Sequence, residues 1–339
     1  MKKININLLL IIFGSIAAVF IVIFLIWWNV KIEIVNQFKD GAFFSSGNKK
    51  QVSSISGQEC TNYAQRPISV MLGGDLIARP LSGISQADIV FEMPVAPNGI
   101  TRFMAVFQCE HPEEIGSIRS ARQDFIPLAA GLGSIYAHWG GERDALADLD
   151  SRVMDNINAM KYDGTVFYRK TKIKPPYNGF TTIENLTEEA KNLKYALDDN
   201  FLGYPHNNGG ENKSISNMAN EVDVNYPKPF NAKWIYNDQE NNYARYRNNE
   251  PEIDKDNNTP VTASVVIIME TTSKFLREQY ITVSVQGEGS ASFYQNGIVA
   301  TGKWKKDPSS IKSKLYFYGP DGKEIDFVPG KIWVEIVPK

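Results

Sequence analysis

Residues 102–141 read RFMAVFQCEHPEEIGSIRSARQDFIPLAAGLGSIYAHWGG, and this stretch decides the fold. Its first apolar run, at 103–107, is typical of a buried strand. Residues 122–132 are apolar enough for a helix, and the proline near their start is tolerated in a first helical turn. A second strand is predicted at 134–138. A strand, a helix and another strand in this order indicate an α/β layer domain.

The residues on either side of this stretch extend the same pattern. Strands are predicted at 67–72 and 87–93, because both runs are apolar and end in turn residues. Apolar residues three and four positions apart predict an amphipathic helix at 142–160, and a further helix is predicted at 187–197. We therefore predict an α/β (or α+β) domain over residues 59–200.

The pattern changes after residue 200. Residues 201–225 are rich in asparagine and glycine and predict a linker. In residues 226–339, short apolar runs alternate with glycine-containing turns, and no convincing helix interrupts them. This alternation is typical of an antiparallel β-rich domain.

The N-terminus carries a long apolar segment at residues 8–28. A helix of that length spans about 31 Å, enough for the hydrocarbon core of a bilayer. Lys2 and Lys3 precede the segment, and two tryptophans end it where interfacial aromatic residues belong. We predict a transmembrane signal anchor with residues 1–7 in the cytoplasm, a tether at 29–58 and the bulk of the chain outside. A cleaved signal peptide is the alternative.

The composition argues against several classes of partner and cofactor. The net charge of −2 gives no indication of a nucleic-acid partner. The three histidines are not at metal-ligand spacing and no glycine-rich phosphate loop is present, so neither a metal nor a cofactor is predicted. Cys60 and Cys109 are candidates for a disulfide in an oxidising exterior, and two separate thiols are the alternative.

Four arginines and one histidine mark a candidate ligand site. They stand at the ends of predicted strands or in the adjacent loops: Arg79, Arg102, Arg119, Arg122 and His138. A guanidinium group suits a phosphate or carboxylate, because its planar fork binds such groups with two hydrogen bonds. The alternative is that these arginines pair with acidic side chains of the same domain and hold strand ends together.

Three groups could support catalysis: His138 again, and the carboxylates of Asp88 and Glu92. His138 follows a strand and precedes two glycines, a position in which a histidine can act as a general base. Asp88 and Glu92 lie four residues apart on one predicted strand, roughly 13 Å along it, which is too far for a paired-carboxylate glycosidase site. Both carboxylates are therefore better interpreted as partners of the arginines.

The sequence also resembles a known family. The runs RPISVMLGG, ARPLSGISQADIVFE, GITRFMAVFQ, IGSIRSAR and HWGG, with NGIVATGKWKK and DGKEIDFVPGKIWVEIVP near the C-terminus, resemble the YerB-like lipoprotein family of the bacterial envelope. That family comprises the N- and C-terminal domains of DUF3048, a domain of unknown function. The resemblance covers residue 58 to the C-terminus and implies an architecture and a compartment rather than a reaction. This chain departs from the family by lacking a lipid-bearing cysteine and by carrying Tyr177 where relatives often have histidine.

These observations together predict a membrane-anchored extracytoplasmic protein of the cell envelope. We interpret it as a non-catalytic binding or scaffold module with an arginine-lined site for an anionic ligand or a partner. The bilayer is the predicted partner of residues 8–28, and envelope proteins or a cell-wall polymer are the candidate partners of the exterior part, with a link to cell-wall synthesis. The alternative is a hydrolase of envelope glycans or phosphodiesters that uses His138 with Asp88 or Glu92.

Overall fold

The computed structural model describes residues 51–207, 218–277 and 279–339, together with Phe24. The predicted cytoplasmic N-terminus and, apart from Phe24, the predicted anchor at 8–28 lie outside the described residues. In the part of the chain that is described, no helix is long and apolar enough to cross a membrane.

Strands dominate the described residues, and the helices are short. The strands are β1 (Ile68–Gly73), β2 (Ile89–Pro94), β3 (Thr101–Phe107), β4 (Ile115–Gly116), β5 (Ile135–His138), β6 (Asn156–Asn158), β7 (Tyr168–Arg169), β8 (Gly179–Thr181), β9 (Glu221–Val224), β10 (Ala232–Asn237), β11 (Asn242–Arg247), β12 (Glu250–Pro251), β13 (Thr262–Ala263), β14 (Val265–Thr271), β15 (Ser273–Arg277), β16 (Tyr280–Val283), β17 (Gly287–Gln295), β18 (Ile298–Lys306), β19 (Tyr316–Tyr318) and β20 (Ile332–Pro338). The helices are α1 (Ile126–Gly131), α2 (Arg143–Asp150), α3 (Ala159–Tyr162) and α4 (Ile183–Asn192), with 3-10 turns at Leu76–Ala78, Ile84–Gln86 and Gln123–Phe125.

One ten-stranded sheet runs through both halves of the chain. Its order is β19-β18-β17-β14-β20-β2-β3-β1-β5-β6, so strands from both sides of the predicted linker lie side by side. The last strand, β20, pairs in parallel with β14 and with β2. Smaller sheets are β12-β11-β10-β9 with β13 on β11, the hairpin β15-β16, and β4-β8-β7.

The fold is therefore mixed α/β and β-rich, as the sequence predicts. Most strand pairs within residues 226–339 are antiparallel, as predicted, but β20 is an exception, because it runs parallel to both β14 and β2. The neighbours of β20 lie far away in sequence, and local alternation carries no information about strand direction. The linker boundaries themselves stay a prediction.

The core lies on both faces of the large sheet. Side chains of one strand alternate between the faces, so that Met71 packs on one side while Val70 packs on the other. Helices α1 and α2 cover the first face. Helix α4 and the sheet of β9 to β13 cover the second, where the buried indoles of Trp234 and Trp333 meet edge to face with ring centroids 5.1 Å apart.

The helix predicted at 122–132 corresponds to a 3-10 turn followed by α1, and the other two predicted helices have different bounds from those found. The helix predicted at 142–160 ends at Asp150, because Arg152 adopts a φ of 61°, and β6 and α3 fill the remainder. The helix predicted at 187–197 corresponds to α4, which starts four residues and ends five residues earlier. It begins after Thr182, whose hydroxyl accepts a hydrogen bond from the amide of Asn185 at 3.1 Å.

The end of the predicted tether is part of the folded core. Ile55 is fully buried, and the hydroxyls of Ser53 and Ser56 donate at 2.6 Å to Gln108 and Asp88. The hydroxyls of these two serines, near the end of the predicted tether, are therefore satisfied inside the protein rather than by water, and the tether boundary at residue 58 stays a prediction. The rest of the predicted tether, 29–50, lies outside the described residues. The predicted disulfide between Cys60 and Cys109 is confirmed, with Cα atoms 5.6 Å apart.

Candidate anion-binding site

The loop that carries Arg119 and Arg122 runs along the ends of two parallel strands. The amide of Gly73, at the end of β1, donates to Ser117 at 3.0 Å, and the amide of Arg119 donates to Met71 at 2.9 Å. Further along, the amide of Ala121 donates to Gly140, just after β5, at 3.0 Å. Arg102 reaches the same edge, because it lies directly opposite Gly73 on the antiparallel strand β3.

Arg102 is the most deeply buried member of the site. Its side chain is 3% exposed, and its Nη1 donates to the carbonyl of Ser120 at 2.9 Å. Its Nε has no hydrogen-bond partner among the described residues. Burial lowers the pKa of Arg102 well below its ordinary value, and the positive charges of Arg122 and Arg119 lower it further. Three cations thus act on one another at this edge.

Arg119 lies between an aspartate and an aromatic ring. Its Nε is 3.8 Å from Oδ2 of Asp75, too long for a hydrogen bond, and neither atom has another hydrogen-bond partner among the described residues. Its guanidinium carbon lies 4.7 Å from the ring centroid of Tyr177, whose hydroxyl donates to Oδ1 of Asp75 at 3.2 Å. Asp75 therefore offsets part of the charge of Arg119 but leaves its Nε free to donate.

Arg122 is buried against the other side of the site. Its Nη1 donates to the carbonyl of Ala121 at 2.9 Å, and its guanidinium carbon lies 4.8 Å from the ring centroid of Tyr280. Its Nε is also without a hydrogen-bond partner in the described part of the chain. Burial lowers the pKa of Arg122, and Tyr280 and Glu142 act in the opposite direction.

The polar surroundings of the three arginines do not neutralise them fully. Among the described residues, no carboxylate lies within 4.0 Å of a guanidinium nitrogen of Arg102 or Arg122. The buried hydroxyl of Tyr136 is likewise without a hydrogen-bond partner there. A buried donor left unsatisfied costs about 1–3 kcal/mol. Each of the three guanidinium groups thus has a buried Nε donor without a hydrogen-bond partner among the described residues, and charged N–H donors are the groups that pair with phosphate or carboxylate oxygens.

Arg79 does not join this cluster. Its guanidinium donates to the carbonyl of Gly74, and its guanidinium carbon lies 6.0 Å from the ring centroid of Phe230. Burial lowers the pKa of Arg79 to about 10, and the nearest charges that act on it are those of Arg247 and Glu252. The structure therefore brings together three of the four predicted arginines. Whether any of the four binds a ligand stays a prediction.

Glu92 is enclosed in a second, fully buried ionic network. It lies directly opposite Glu335 on the paired strands β2 and β20, and Arg245 forms ion pairs with both carboxylates. Arg247 binds Glu92 at 2.7 Å, and Glu252 accepts from Nε of Arg245 at 2.8 Å. Burial acts to raise the pKa of Glu92, but the two guanidinium groups outweigh it and keep the pKa below its ordinary value. Burial raises the pKa of Glu335 to about 7.

Asp88 and His138 also have internal partners. Asp88 accepts hydrogen bonds from the amides of Gln108 and Cys109 at 2.8 and 3.0 Å, in addition to the hydroxyl of Ser56. His138 is fully buried; its Nδ1 lies 2.7 Å from the carbonyl of Gly140, and its ring stacks on Tyr136. Burial lowers the pKa of His138.

The three groups of the hydrolase hypothesis do not share one site. Strands β3 and β1 separate β2, which carries Glu92, from β5, which carries His138. Three strand spacings amount to about 14 Å. Asp88 precedes β2 and therefore lies at the opposite end of that strand from Glu92.

Several members of these clusters are not predicted from the sequence. Arg245 and Arg247 share the buried face of β11 with Tyr243, at every second position of the strand, so the spacing in YARYR was a signal that they point inward. For Asp75, Tyr177 and Tyr280 no local signal exists, because loops and a hairpin distant in sequence bring them to the arginines.

Comparisons with known proteins match both halves of the chain to one family. Residues 52–196 match the "Protein of unknown function (DUF3048) N-terminal domain", and residues 222–334 match the corresponding C-terminal domain. A protein of Bacillus subtilis (strain 168) described as "Putative lipoprotein YerB" is 32% identical over 286 residues, which are 81% of this chain and 82% of that protein. The crystal structure of the YerB protein from Bacillus subtilis matches with a TM-score of 0.74 at 29% identity, covering 85% of this chain and 97% of that one. The resemblance that the sequence predicts is therefore confirmed.

Proposed function

The chain belongs to the DUF3048 family, and from this premise we propose that it is an extracytoplasmic envelope protein that binds an anionic ligand through Arg102, Arg119 and Arg122. The observation that carries the proposal is the free Nε donor on each of these three arginines at one edge of the sheet. A donor set of this kind suits the oxygens of a phosphate or carboxylate group.

Two observations support the compartment. The similar protein of Bacillus subtilis carries the description "Putative lipoprotein YerB", which supports an envelope location. The disulfide between Cys60 and Cys109 suits an oxidising exterior. In this proposal, residues 8–28 anchor the chain in the bilayer, and the anionic ligand belongs to a cell-wall polymer or to another envelope component.

A binding role has more support than a hydrolytic one. Glu92 is held by two arginines, Asp88 by two backbone amides and His138 by the carbonyl of Gly140. All three side chains are buried and lie in different places, whereas hydrolysis needs an acid and a base around one substrate bond. The arginine edge needs no catalytic group in order to bind.

Calorimetric titration of the full chain with inorganic phosphate, in nanodiscs of a phosphate-free galactolipid, tests the proposal. The proposal predicts saturable binding that weakens at least tenfold in Arg119→Gln, because one charged donor is lost. Arg143→Gln is the matched control, since that side chain is 80% exposed and pairs with Asp144 on the surface. Absence of saturable binding, or equal affinity in Arg119→Gln, would rule out the proposed site.

A further inference from the structure

Exposed apolar side chains gather around the arginine site. Most large apolar residues are buried, and the exceptions within residues 51–207, 218–277 and 279–339 are few: Leu76, Ile77, Met160, Leu202, Met218 and Phe275. Four of these six lie on the segments that form or cover the arginine edge. Clustering of this kind is informative, because isolated exposed apolar residues need no explanation whereas grouped ones mark binding surfaces.

Leu76 and Ile77 lie beside Arg119. They belong to the 3-10 turn that follows Asp75, the aspartate 3.8 Å from the Nε of Arg119. This turn and Arg119 both pack against Gly73. A Cβ atom added to Gly73 would lie 3.0 Å from Cγ of Arg119 and 3.1 Å from Cβ of Ala78, the last residue of the turn. About half of each of the two side chains is nevertheless exposed, 52% for Leu76 and 54% for Ile77.

Met160 and Phe275 lie on the other elements that border the site. A Cβ on Gly140 would lie 3.4 Å from Cγ of Met160, and the carbonyl of Gly140 holds the amide of Ala121 between the two loop arginines. Phe275 lies on the hairpin β15-β16 that also carries Tyr280, whose ring covers Arg122, but it pairs with Ile281 and therefore points to the opposite face of the hairpin from Tyr280. The exposed apolar side chains nearest the cations are therefore those of Leu76, Ile77 and Met160.

We propose that the ligand is an amphiphile in which a phosphate head group is joined to a hydrocarbon chain, as in a lipid phosphate. This inference rests on the proposed function and names the chemistry of its ligand. The phosphate binds Arg102, Arg119 and Arg122, and the chain lies across Leu76 and Ile77. A free inorganic anion would gain no binding free energy from these two apolar side chains. A hydrocarbon chain would gain it, because the chain removes their surface from water. The partly exposed ring of Tyr177, between the guanidinium of Arg119 and solvent, suits the junction of the polar and apolar parts.

A series of ligands with one head group and increasing chain length tests this inference. Inorganic phosphate, butyl phosphate and hexyl phosphate are titrated into the full chain in nanodiscs of a phosphate-free galactolipid, so that no lipid phosphate competes, below any micelle concentration and with empty nanodiscs as the blank. Each methylene that becomes buried raises affinity roughly fourfold, so hexyl phosphate should bind at least tenfold more tightly than phosphate.

Two variants locate the chain on the surface. Leu76→Ser combined with Ile77→Ser should abolish the gain with chain length and leave the affinity for inorganic phosphate unchanged, because neither residue touches the anion. Leu202→Ser is the matched control, an 80% exposed leucine on the other side of the domain from these loops, beside Arg66 and Asn200. It should change nothing.

The outcomes distinguish the amphiphilic ligand from the anion site on which it rests. Equal affinity for phosphate and hexyl phosphate would overturn the amphiphilic ligand and leave the anion site intact. A gain with chain length that survives in the double variant would also overturn it, since the chain would then lie elsewhere. Failure of all three ligands to bind would overturn the proposed function as well.

Discussion

Glu92 and Glu335 face each other on the parallel strands β2 and β20, and one guanidinium group, that of Arg245, binds both carboxylates. Glu92 belongs to the segment that matches the N-terminal family domain, and Glu335 lies at the end of the chain. The network therefore joins the two halves at the centre of the large sheet. Because Arg245 and both carboxylates are fully buried, each of them depends on the others for its charge to be tolerated.

Loss of the central cation should be strongly destabilising. In Arg245→Gln, two buried carboxylates would face each other with Arg247 as the remaining ion-pair partner of Glu92, and removing one partner of a buried ion pair costs about 3–5 kcal/mol. Urea unfolding of the full chain followed by tryptophan fluorescence measures this loss, since Trp234 and Trp333 pack on Arg245. Arg143→Gln should change the free energy of unfolding by less than about 1 kcal/mol. A similar loss in both variants would show that Arg245 has no special role.

Asp124 should make the folded state less stable as pH rises from about 4 to about 6. Burial raises its pKa from 3.8 to about 6, although Thr282 and the amide of Val283 donate hydrogen bonds to it at 3.0 and 2.7 Å. The folded state therefore holds this proton more tightly than the unfolded state, and roughly 3 kcal/mol is lost across that window. Asp124→Asn should flatten the stability profile between pH 4 and 6. An unchanged slope in urea melts would contradict the assignment.

The disulfide should stabilise the fold by about 2–4 kcal/mol, because it closes a loop of 49 residues in the unfolded chain. Cys60→Ser combined with Cys109→Ser should lower the urea midpoint by the corresponding amount. Dithiothreitol should lower the midpoint of the natural chain to the same value and leave the double variant unaffected. Equal midpoints with and without reductant in the natural chain would contradict this prediction.

Local patterns predicted the central strands and the position of three arginines well. The strands β1, β2, β3 and β5 coincide with largely apolar runs of the sequence. Arg102 stands near the start of β3, and Arg119 and Arg122 lie in the loop that follows β4. The position of β20 between β14 and β2 could not be predicted in this way. Its partners are set by contacts between residues that are far apart in the chain, and a one-dimensional pattern does not record them.

The same limit applies to the charged side chains. Asp88 and Glu92 were expected to pair with the predicted arginines, but Glu92 binds Arg245 and Arg247, and Asp88 accepts mainly from backbone amides. The amphipathic spacing at 142–160 corresponds to a helix only over α2, because the positive φ of Arg152 ends the helix and directs the chain back to the sheet. A residue with a positive φ can be anticipated from the sequence when it is glycine or asparagine, which favour that conformation. An arginine within an amphipathic pattern gives no such indication.

The most direct test of the anion site is to observe its arginine side chains while phosphate is added. Full chain labelled with ¹⁵N-arginine is prepared in nanodiscs, and the Nε–H resonances are assigned by single Arg→Lys variants. Our account predicts that the Nε–H signals of Arg102, Arg119 and Arg122 shift together and saturate with one dissociation constant, while that of Arg143 stays in place. Signals of the three arginines that do not move, or that move no more than that of Arg143, would contradict it.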